Sequence, residues 1–146
     1  MFGRNDKLDT EWLAGVGFFD GFTKVELEAV ASLGERLDAA AGAQLIDQGR
    51  VGDECFVIVT GTAAIHIRGE FVTTVGPGTM IGEMALVEHR PRNATVTAET
   101  EMTLVSFGTK EFNKLLSRSP NAHDRVMTML HDRLAENKER DQQSDQ

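Results

Sequence analysis

The organising segment of this sequence is Gly82-Glu83-Met84-Ala85-Leu86-Val87-Glu88-His89-Arg90-Pro91-Arg92-Asn93-Ala94-Thr95-Val96. Gly82 permits a close approach between the backbone and a ligand. Residues 83–86 fit one helical turn, and the free N–H groups at the start of such a turn bind anions. Arg92 precedes an alternating strand, where its guanidinium can bind a phosphate through two parallel hydrogen bonds. A small ligand with an anionic group and a sugar hydroxyl fits this combination.

This segment resembles the phosphate-binding cassette of the cyclic nucleotide-binding domain family, of the catabolite activator protein and protein kinase A regulatory subunit type. The family pattern is Gly-Glu, three apolar or small residues, a variable loop, then Pro-Arg, two small residues and a strand. The resemblance implies that Glu83 binds the ribose 2′-hydroxyl and that Arg92 neutralises the cyclic phosphate. The ligand contacts that it implies within the cassette, residues 82–95, are Gly82, Glu83, Met84, Ala85, Arg92, Asn93 and Ala94.

Asn93 leaves the base preference open. In the family, threonine at this position favours cyclic GMP, and alanine or serine accompanies cyclic AMP. An asparagine side chain can both donate and accept hydrogen bonds. Since the threonine is absent, we expect cyclic AMP as the ligand, with cyclic GMP as the alternative.

Four residues outside the cassette are further candidates for ligand contact. Ile65 and Val72 align with strands that face the sugar and base in the family, and a plain core role for both stays equally open. The final helix of the family closes over the base. There, the guanidinium of Arg133 can stack on a purine, and Thr128 offers a hydroxyl. A solvated Arg133 near a helix C-terminus is the alternative.

The composition limits the class of protein. The chain has 146 residues, which suits one domain, and a formal net charge of -8, which disfavours nucleic acid and anionic membranes as partners. The sequence contains no apolar run that could span a bilayer and no signal-peptide pattern. Cys55 is the only cysteine, so no internal disulfide can form, which fits a cytoplasmic location. It lies in an apolar run and is expected to be buried.

The central part of the chain alternates as strands between glycine turns. Arg68-Gly69-Glu70 predicts a tight hairpin. Short strands at close spacing predict an antiparallel β jelly roll, or double-stranded β-helix, over residues 37–108. The strands expected before and after the cassette are Gln44–Asp47, Cys55–Thr60, Thr62–Arg68, Phe71–Val75 and Met102–Phe107.

Helices are predicted on both sides of the jelly roll, in a bundle within residues 1–36 and a pair within residues 109–138. Trp12–Phe19 predicts a short helix, and Thr23 with Glu26 forms a capping box for the next. Thr109 is expected to cap a helix that contains Phe112, Leu115 and Leu116. Ser119-Pro120 is typical of a helix start. Residues 1–11 are expected to fray, and Glu136–Gln146, including the polar tail 139–146, to be disordered.

The sequence offers no support for catalysis or for a metal site. His66 and His89 lack the His-x-His spacing of the metal-binding jelly rolls. We expect His66 on a solvated strand face and His89 in an exposed loop. No nucleophile and base have the spacing of a hydrolase motif. The sequence therefore predicts a protein that is not an enzyme and that needs no metal or cofactor.

The resulting interpretation is a single-domain cyclic nucleotide sensor, a free-standing member of bacterial type. Bound ligand would reposition the helices at Phe112–Leu116 and Ser119–Leu134. That movement would expose or hide an apolar stripe of Met127, Leu130 and Leu134 to an unknown effector protein or to a second copy in a homodimer. The alternative is a degenerate domain that keeps the fold as a protein-interaction module and has lost nucleotide binding.

Overall fold

A computed structural model describes residues 2–5, 8–49, 53–83, 92 and 94–144. Within these residues the strands are β1 Phe2–Asn5, β2 Glu35–Ala39, β3 Gln44–Ile46, β4 Glu54–Thr60, β5 Ala63–Ile67, β6 Glu70–Val75, β7 Met80–Ile81, β8 Thr95–Ala98 and β9 Met102–Gly108. The helices are α1 Thr10–Ala14, α2 Lys24–Leu33, α3 Thr109–Arg118 and α4 Pro120–Ser144, with a 3-10 turn at Gly17–Phe19.

The strands form two antiparallel sheets. One sheet has the order β1-β2-β9-β4-β7, and the other has the order β3-β8-β5-β6. Apart from β1 at its edge, this is the strand order of a jelly roll, so the predicted fold class is confirmed. The hairpin between β5 and β6 turns through Arg68 (φ 53°) and Gly69 (φ 80°), as the Arg-Gly pair predicted.

Two apolar cores lie on the two faces of the larger sheet. On β4, Cys55 and Val57 face the helices, whereas Phe56 and Ile58 face the second sheet. Because both faces of β4 are covered, its sequence is a continuous apolar run rather than an alternating one. Cys55 is fully buried, as expected.

Hydrogen bonds from polar side chains fix the starts of α2 and α4. The capping box of α2 is present, with Thr23 Oγ1 accepting from Glu26 N and Glu26 Oε1 accepting from Thr23 N. Ser119 caps α4 by accepting from Ala122 N at 3.0 Å. Farther along α4, Arg125 donates to the carbonyls of the N-terminal helical region at Phe18 and Asp20. The start of α4 is therefore fastened to the segment that leads into α2.

The N-terminal segment differs from the sequence predictions in two places. Residues expected to fray include β1, which pairs with β2 because the edge of that sheet offers free backbone groups. The helix expected at Trp12–Phe19 is instead the short α1, followed by the separate 3-10 turn.

The C-terminal segment also differs in two places. Gly108, not Thr109, is the N-cap of α3 and supplies no side-chain bond. The end of the chain was expected to be disordered from Glu136, whereas α4 stays helical to Ser144 because its glutamate, lysine, arginine and glutamine residues favour helix. Among the described residues, no helix is long and apolar enough to cross a membrane.

Candidate functional site

The site begins at Gly82, directly after β7. Its φ of +88° lies in the left-handed region that favours glycine. A Cβ atom at this position would lie 2.7 Å from Arg92 Nη1 and 3.2 Å from the Glu54 carbonyl oxygen. The absence of a side chain therefore lets the Arg92 guanidinium lie directly against the backbone.

Arg92 is buried beside this glycine, with only 8% of its surface exposed. Its Nη1 donates to the Gly82 carbonyl at 2.7 Å, and its Nη2 donates to the Glu54 carbonyl. Burial lowers the pKa of Arg92, and the neighbouring groups, Cys55 first among them, raise it again. An arginine keeps its charge through such shifts, so the site contains a fixed cation.

Glu83, the next residue after Gly82, is fully buried. Its Oε1 accepts from Nη1 of Arg133 on α4 at 2.5 Å, and the other terminal nitrogen of Arg133 donates to the Met80 carbonyl. Burial raises the pKa of Glu83, and the adjacent Arg133 guanidinium offsets part of that rise. Two arginines thus hold the end of β7 and the start of the cassette: Arg92 binds Gly82, and Arg133 binds Met80 and Glu83.

The second carboxylate oxygen of Glu83, Oε2, has no hydrogen-bond partner among the described residues. Leaving a buried acceptor unpaired costs about 1–3 kcal/mol, and more when it is charged. A donor brought by a ligand, such as a hydroxyl, would recover that energy. The site thus combines the buried Glu83 carboxylate, a hydrogen-bond acceptor, with the buried Arg92 guanidinium, which lies against the Gly82 backbone.

The other predicted site residues are placed as follows. Ile65 on β5 is half-buried and packs against the core between the sheets. Val72 is half-buried and is the extra residue of a bulge, because Ile65 pairs with Thr73 and His66 pairs with Phe71. Ala94 is half-buried just before β8.

On α4 the two candidate lid residues differ. Arg133 reaches the site through its ion pair with Glu83. Thr128 is exposed, and its hydroxyl donates to the Asp124 carbonyl of the same helix at 2.9 Å. Met84, Ala85 and Asn93 lie outside the described residues, as does most of the helical turn expected at residues 83–86.

The structure adds contacts that the sequence did not suggest. The sequence nominated Arg133 for stacking on a base, not for pairing with Glu83. It also gave no sign that the carbonyls of Glu54 and Met80 would hold the two guanidinium groups, since every residue has a carbonyl. The cassette motif, with Gly82-Glu83 at its start and Arg92 near its end, was the signal that the sequence offered for this part of the site.

The histidines do not form a metal site in the part of the chain that is described. No group of three His, Cys, Asp or Glu side chains there could hold an ion. His66 is half-buried on β5, and its ring meets the Phe71 ring edge-on with centroids 5.8 Å apart. His89 lies outside the described residues.

Comparison with known proteins gives a family match over residues 36–119, to the cyclic nucleotide-binding domain. Among curated proteins, the Pycsar effector protein XpPycTIR of Xanthomonas perforans is 33% identical over 110 residues, which cover 75% of this chain and 36% of that protein. The chain spans about a third or less of the length of the curated relatives that it matches, which include potassium channels gated by cyclic nucleotides.

Solved structures agree with this match. The catabolite activator protein of Thermus thermophilus is 25% identical with a TM-score of 0.74, and the match covers 88% of this chain and 63% of that one. A cAMP-binding acyltransferase from Mycobacterium smegmatis is 29% identical, also with a TM-score of 0.74, over 86% of this chain and 40% of that one.

Proposed function

This chain belongs to the cyclic nucleotide-binding domain family, and from that premise we propose that it is a cyclic AMP sensor with a regulatory rather than a catalytic role. One observation carries the proposal: Glu83 and Arg92 are both buried around Gly82, and Glu83 keeps one oxygen that no described residue bonds. An unpaired buried polar group beside a second buried charge marks a candidate ligand site.

Each of the two side chains has a distinct role in the proposal. Glu83 Oε2 accepts a hydrogen bond from the ribose 2′-hydroxyl. Arg92 uses one N–H on each terminal nitrogen to hold the backbone, at Gly82 and at Glu54, and donates its remaining N–H groups to the cyclic phosphate. The anion then lies next to a cation that the fold has already desolvated and fixed, which strengthens the interaction.

Cyclic AMP is proposed over cyclic GMP for two reasons. Asn93 replaces the threonine that accompanies cyclic GMP in the family. In addition, the similar acyltransferase from Mycobacterium smegmatis is described as cAMP-binding. Cyclic GMP is the comparison ligand in the test.

Signalling is proposed to run through α3 and α4. Ligand binding changes the position of α4, and an effector protein or a second copy of the chain responds to the changed surface. Val126 and Leu130 are buried against the chain's own core, whereas Met127 is 36% exposed, so a shift of α4 would alter what a partner meets. The ligand can drive that shift only by its differential affinity for the two positions. The buried lone Cys55 is consistent with a cytoplasmic site of action.

Calorimetric titration with cyclic AMP and cyclic GMP tests the proposal. We expect cyclic AMP to bind more tightly, and Arg92→Ala to weaken its binding by about two decades, since a charge-assisted bond contributes about 1.5–3 kcal/mol and a bidentate pair more. Arg118→Ala, at an exposed arginine that ends α3, is the matched control and should bind normally.

A thermal-denaturation series gives an independent measurement. Cyclic AMP at about 100 times its dissociation constant should raise the free energy of unfolding by about 2.7 kcal/mol. No stabilisation by either nucleotide would instead favour the degenerate domain that acts only as a protein-interaction module.

A further inference from the structure

We propose that one face of the smaller sheet binds the same face of a second copy of this chain, so that two copies form a weak, symmetric dimer. This outer face of the sheet is formed by Ala64, His66, Phe71, Thr74, Thr95 and Thr97. Such a dimer requires no nucleotide, so it is independent of the proposed function.

The strand register places these six side chains on one side of the sheet. They form two rows across β8, β5 and β6: Ala64 pairs with Thr97 and Thr74, and His66 pairs with Thr95 and Phe71. Residues two apart along a strand share a face, so the two rows lie side by side. The residues between them, Ile65 and Val96, pack into the core between the sheets.

The helices leave the outer face open. They pack on the other sheet, over a core whose fully buried strand residues come from β4, β7 and β9: Cys55, Val57, Met80, Val105 and Phe107. Within the described part of the chain, that core contains no residue of the smaller sheet. Phe71 is 59% exposed, so a large aromatic ring remains in contact with water. Its burial against a partner would be favourable.

The smaller sheet is almost free of Asp, Glu, Lys and Arg. Glu70 is the only such residue in its four strands, whereas these four types make up 26% of the whole chain. Glu70 pairs with Ile67, so it lies on the side of Ile65, away from the outer face. On β2 of the larger sheet, by contrast, the exposed positions are Glu35 and Asp38. Depletion of charge around an exposed aromatic ring is typical of the core of a protein interface.

The charge of the chain favours a second copy as the occupant. Two copies with a net charge of -8 repel each other, and the repulsion is weakest where the facing surfaces contain no carboxylates. A two-fold dimer also needs a surface that complements itself. Threonine hydroxyls meet this need because each one both donates and accepts hydrogen bonds. A strongly charged partner would find no opposite charge on this face.

The size of the outer face predicts a weak and reversible dimer. Its three strands span about 10 Å from β8 to β6, and two such sheets would stack about 10 Å apart. This contact is small compared with the roughly 800 Å² per partner of a standard interface. We expect Phe71 to contribute most of the binding energy, because aromatic side chains dominate interface energetics.

Sedimentation equilibrium without nucleotide, from about 10 μM to about 1 mM protein, tests the proposal. The wild type should show a dimer whose fraction rises with concentration. Phe71→Ser should weaken dimerisation by about tenfold or more, because both copies lose their aromatic anchor. Val25→Ser is the matched control, since Val25 is 72% exposed on α2. It should change the dissociation constant by less than about twofold.

Thr74→Glu is an independent second variant, and it tests the role of charge. It places a carboxylate on the outer face of each copy, so we expect dimerisation to weaken by about tenfold or more. Ser32→Glu adds the same charge at an exposed position on α2 and should dimerise as the wild type does. Circular dichroism checks that each variant folds, and either Phe71→Ser or Thr74→Glu alone is sufficient for the test.

Salt provides a readout without mutation. Higher salt should strengthen the dimer, because it screens the repulsion between two acidic copies and there are no ion pairs across the outer face for it to weaken. A dimer that weakens with salt would be held by ion pairs, which would overturn the proposal.

Three further results would overturn the proposal. A wild type that stays monomeric over the whole concentration range would leave the outer face to a different protein. A dimer that survives both Phe71→Ser and Thr74→Glu would have its interface elsewhere on the chain. Equal losses in these variants and in their controls would reflect a general effect of polarity or charge. Binding of cyclic AMP by a monomer would leave the proposed function intact, so the two failures are distinguishable.

Discussion

The Ser119 hydroxyl donates a hydrogen bond to the carboxylate of Glu26, which lies 93 residues earlier in the chain. Asn121 adds two more hydrogen bonds to the same carboxylate, from its backbone N at 3.1 Å and from its side chain at 2.6 Å. Glu26 is only 5% exposed, and it also accepts from Thr23 N. One carboxylate therefore joins the start of α2 to the start of α4, the helix that also reaches the candidate site.

Glu26→Gln should lower the free energy of unfolding at neutral pH by about 1–3 kcal/mol, since a neutral amide replaces a charged acceptor of several hydrogen bonds. Chemical denaturation measures the change. Glu28→Gln, at an exposed position on the same helix, is the matched control and should be nearly neutral. An equal loss in both variants would contradict the role assigned to Glu26.

The same carboxylate predicts a pH dependence. Burial alone raises the pKa of Glu26, but hydrogen bonds from Ser119, Thr23 and Asn121 outweigh it and lower the pKa from 4.5 to about 2. Because the pKa is lower in the folded state, the stabilisation is complete above pH 4.5 and is lost as the pH falls toward 2. Denaturation should show that the difference in the free energy of unfolding between wild type and Glu26→Gln shrinks as the pH falls through this window. A difference that does not change with pH would show that the stabilisation does not come from the ionised Glu26 carboxylate.

The hydrogen bonds of Glu26 show which contacts can be predicted from the sequence and which cannot. The Thr-x-x-Glu motif predicted the local half of its bonding, because the spacing that forms a capping box is fixed by helix geometry. The bonds to Ser119 and Asn121 depend on how α4 packs, and no local pattern encodes that. The fold class was predictable for a similar reason, since glycine turns and alternating strands are local signals.

The candidate site likewise contains residues that the sequence predicts and contacts that only the structure shows. Gly82, Glu83 and Arg92 were identified because the motif fixes their types and spacing. The pairing of Glu83 with Arg133 was not, because the two residues are 50 positions apart and many arginines end helices on the surface. The edge strand β1 was missed because its stabilisation comes from β2, not from its own polar residues.

Gly82→Ala should damage both stability and ligand binding, with Gly78→Ala as a matched control. Both glycines have nearly the same positive φ, +88° and +87°, so alanine brings a similar strain of about 1–2 kcal/mol to each. Only at Gly82 does the added Cβ meet the Arg92 guanidinium, at 2.7 Å, whereas no atom lies within 4 Å at Gly78.

We therefore expect Gly82→Ala to weaken cyclic AMP binding by about tenfold or more, because Arg92 is displaced, and Gly78→Ala to change it by less than about twofold. Calorimetry measures both affinities, and denaturation confirms that both variants fold. Equal affinity in the two variants would show that the position of Arg92 against Gly82 does not matter to the ligand.

Thr128→Ala should leave ligand affinity within about twofold of the wild type, the range of an ordinary surface substitution. The Thr128 hydroxyl already donates to the Asp124 carbonyl in its own helix, and the side chain is exposed. Calorimetric titration with cyclic AMP measures the affinity. A loss of about tenfold would instead return Thr128 to the set of ligand-binding residues.

Ligand binding should release protons in the range above pH 4.5, and Glu83 should be their source. Burial raises the pKa of Glu83 above the usual value for a glutamate, and the Arg133 guanidinium offsets part of the rise. A carboxyl group with a raised folded-state pKa contributes its stabilisation fully below the unfolded value and loses it as the pH rises through the folded value. A ligand hydroxyl binds the ionised form more strongly, so it lowers this pKa again and expels the proton.

Titrations in two buffers with different ionisation enthalpies measure the protons released, and Glu83→Gln should release none. Proton release by that variant equal to the wild type would assign the linkage to another group.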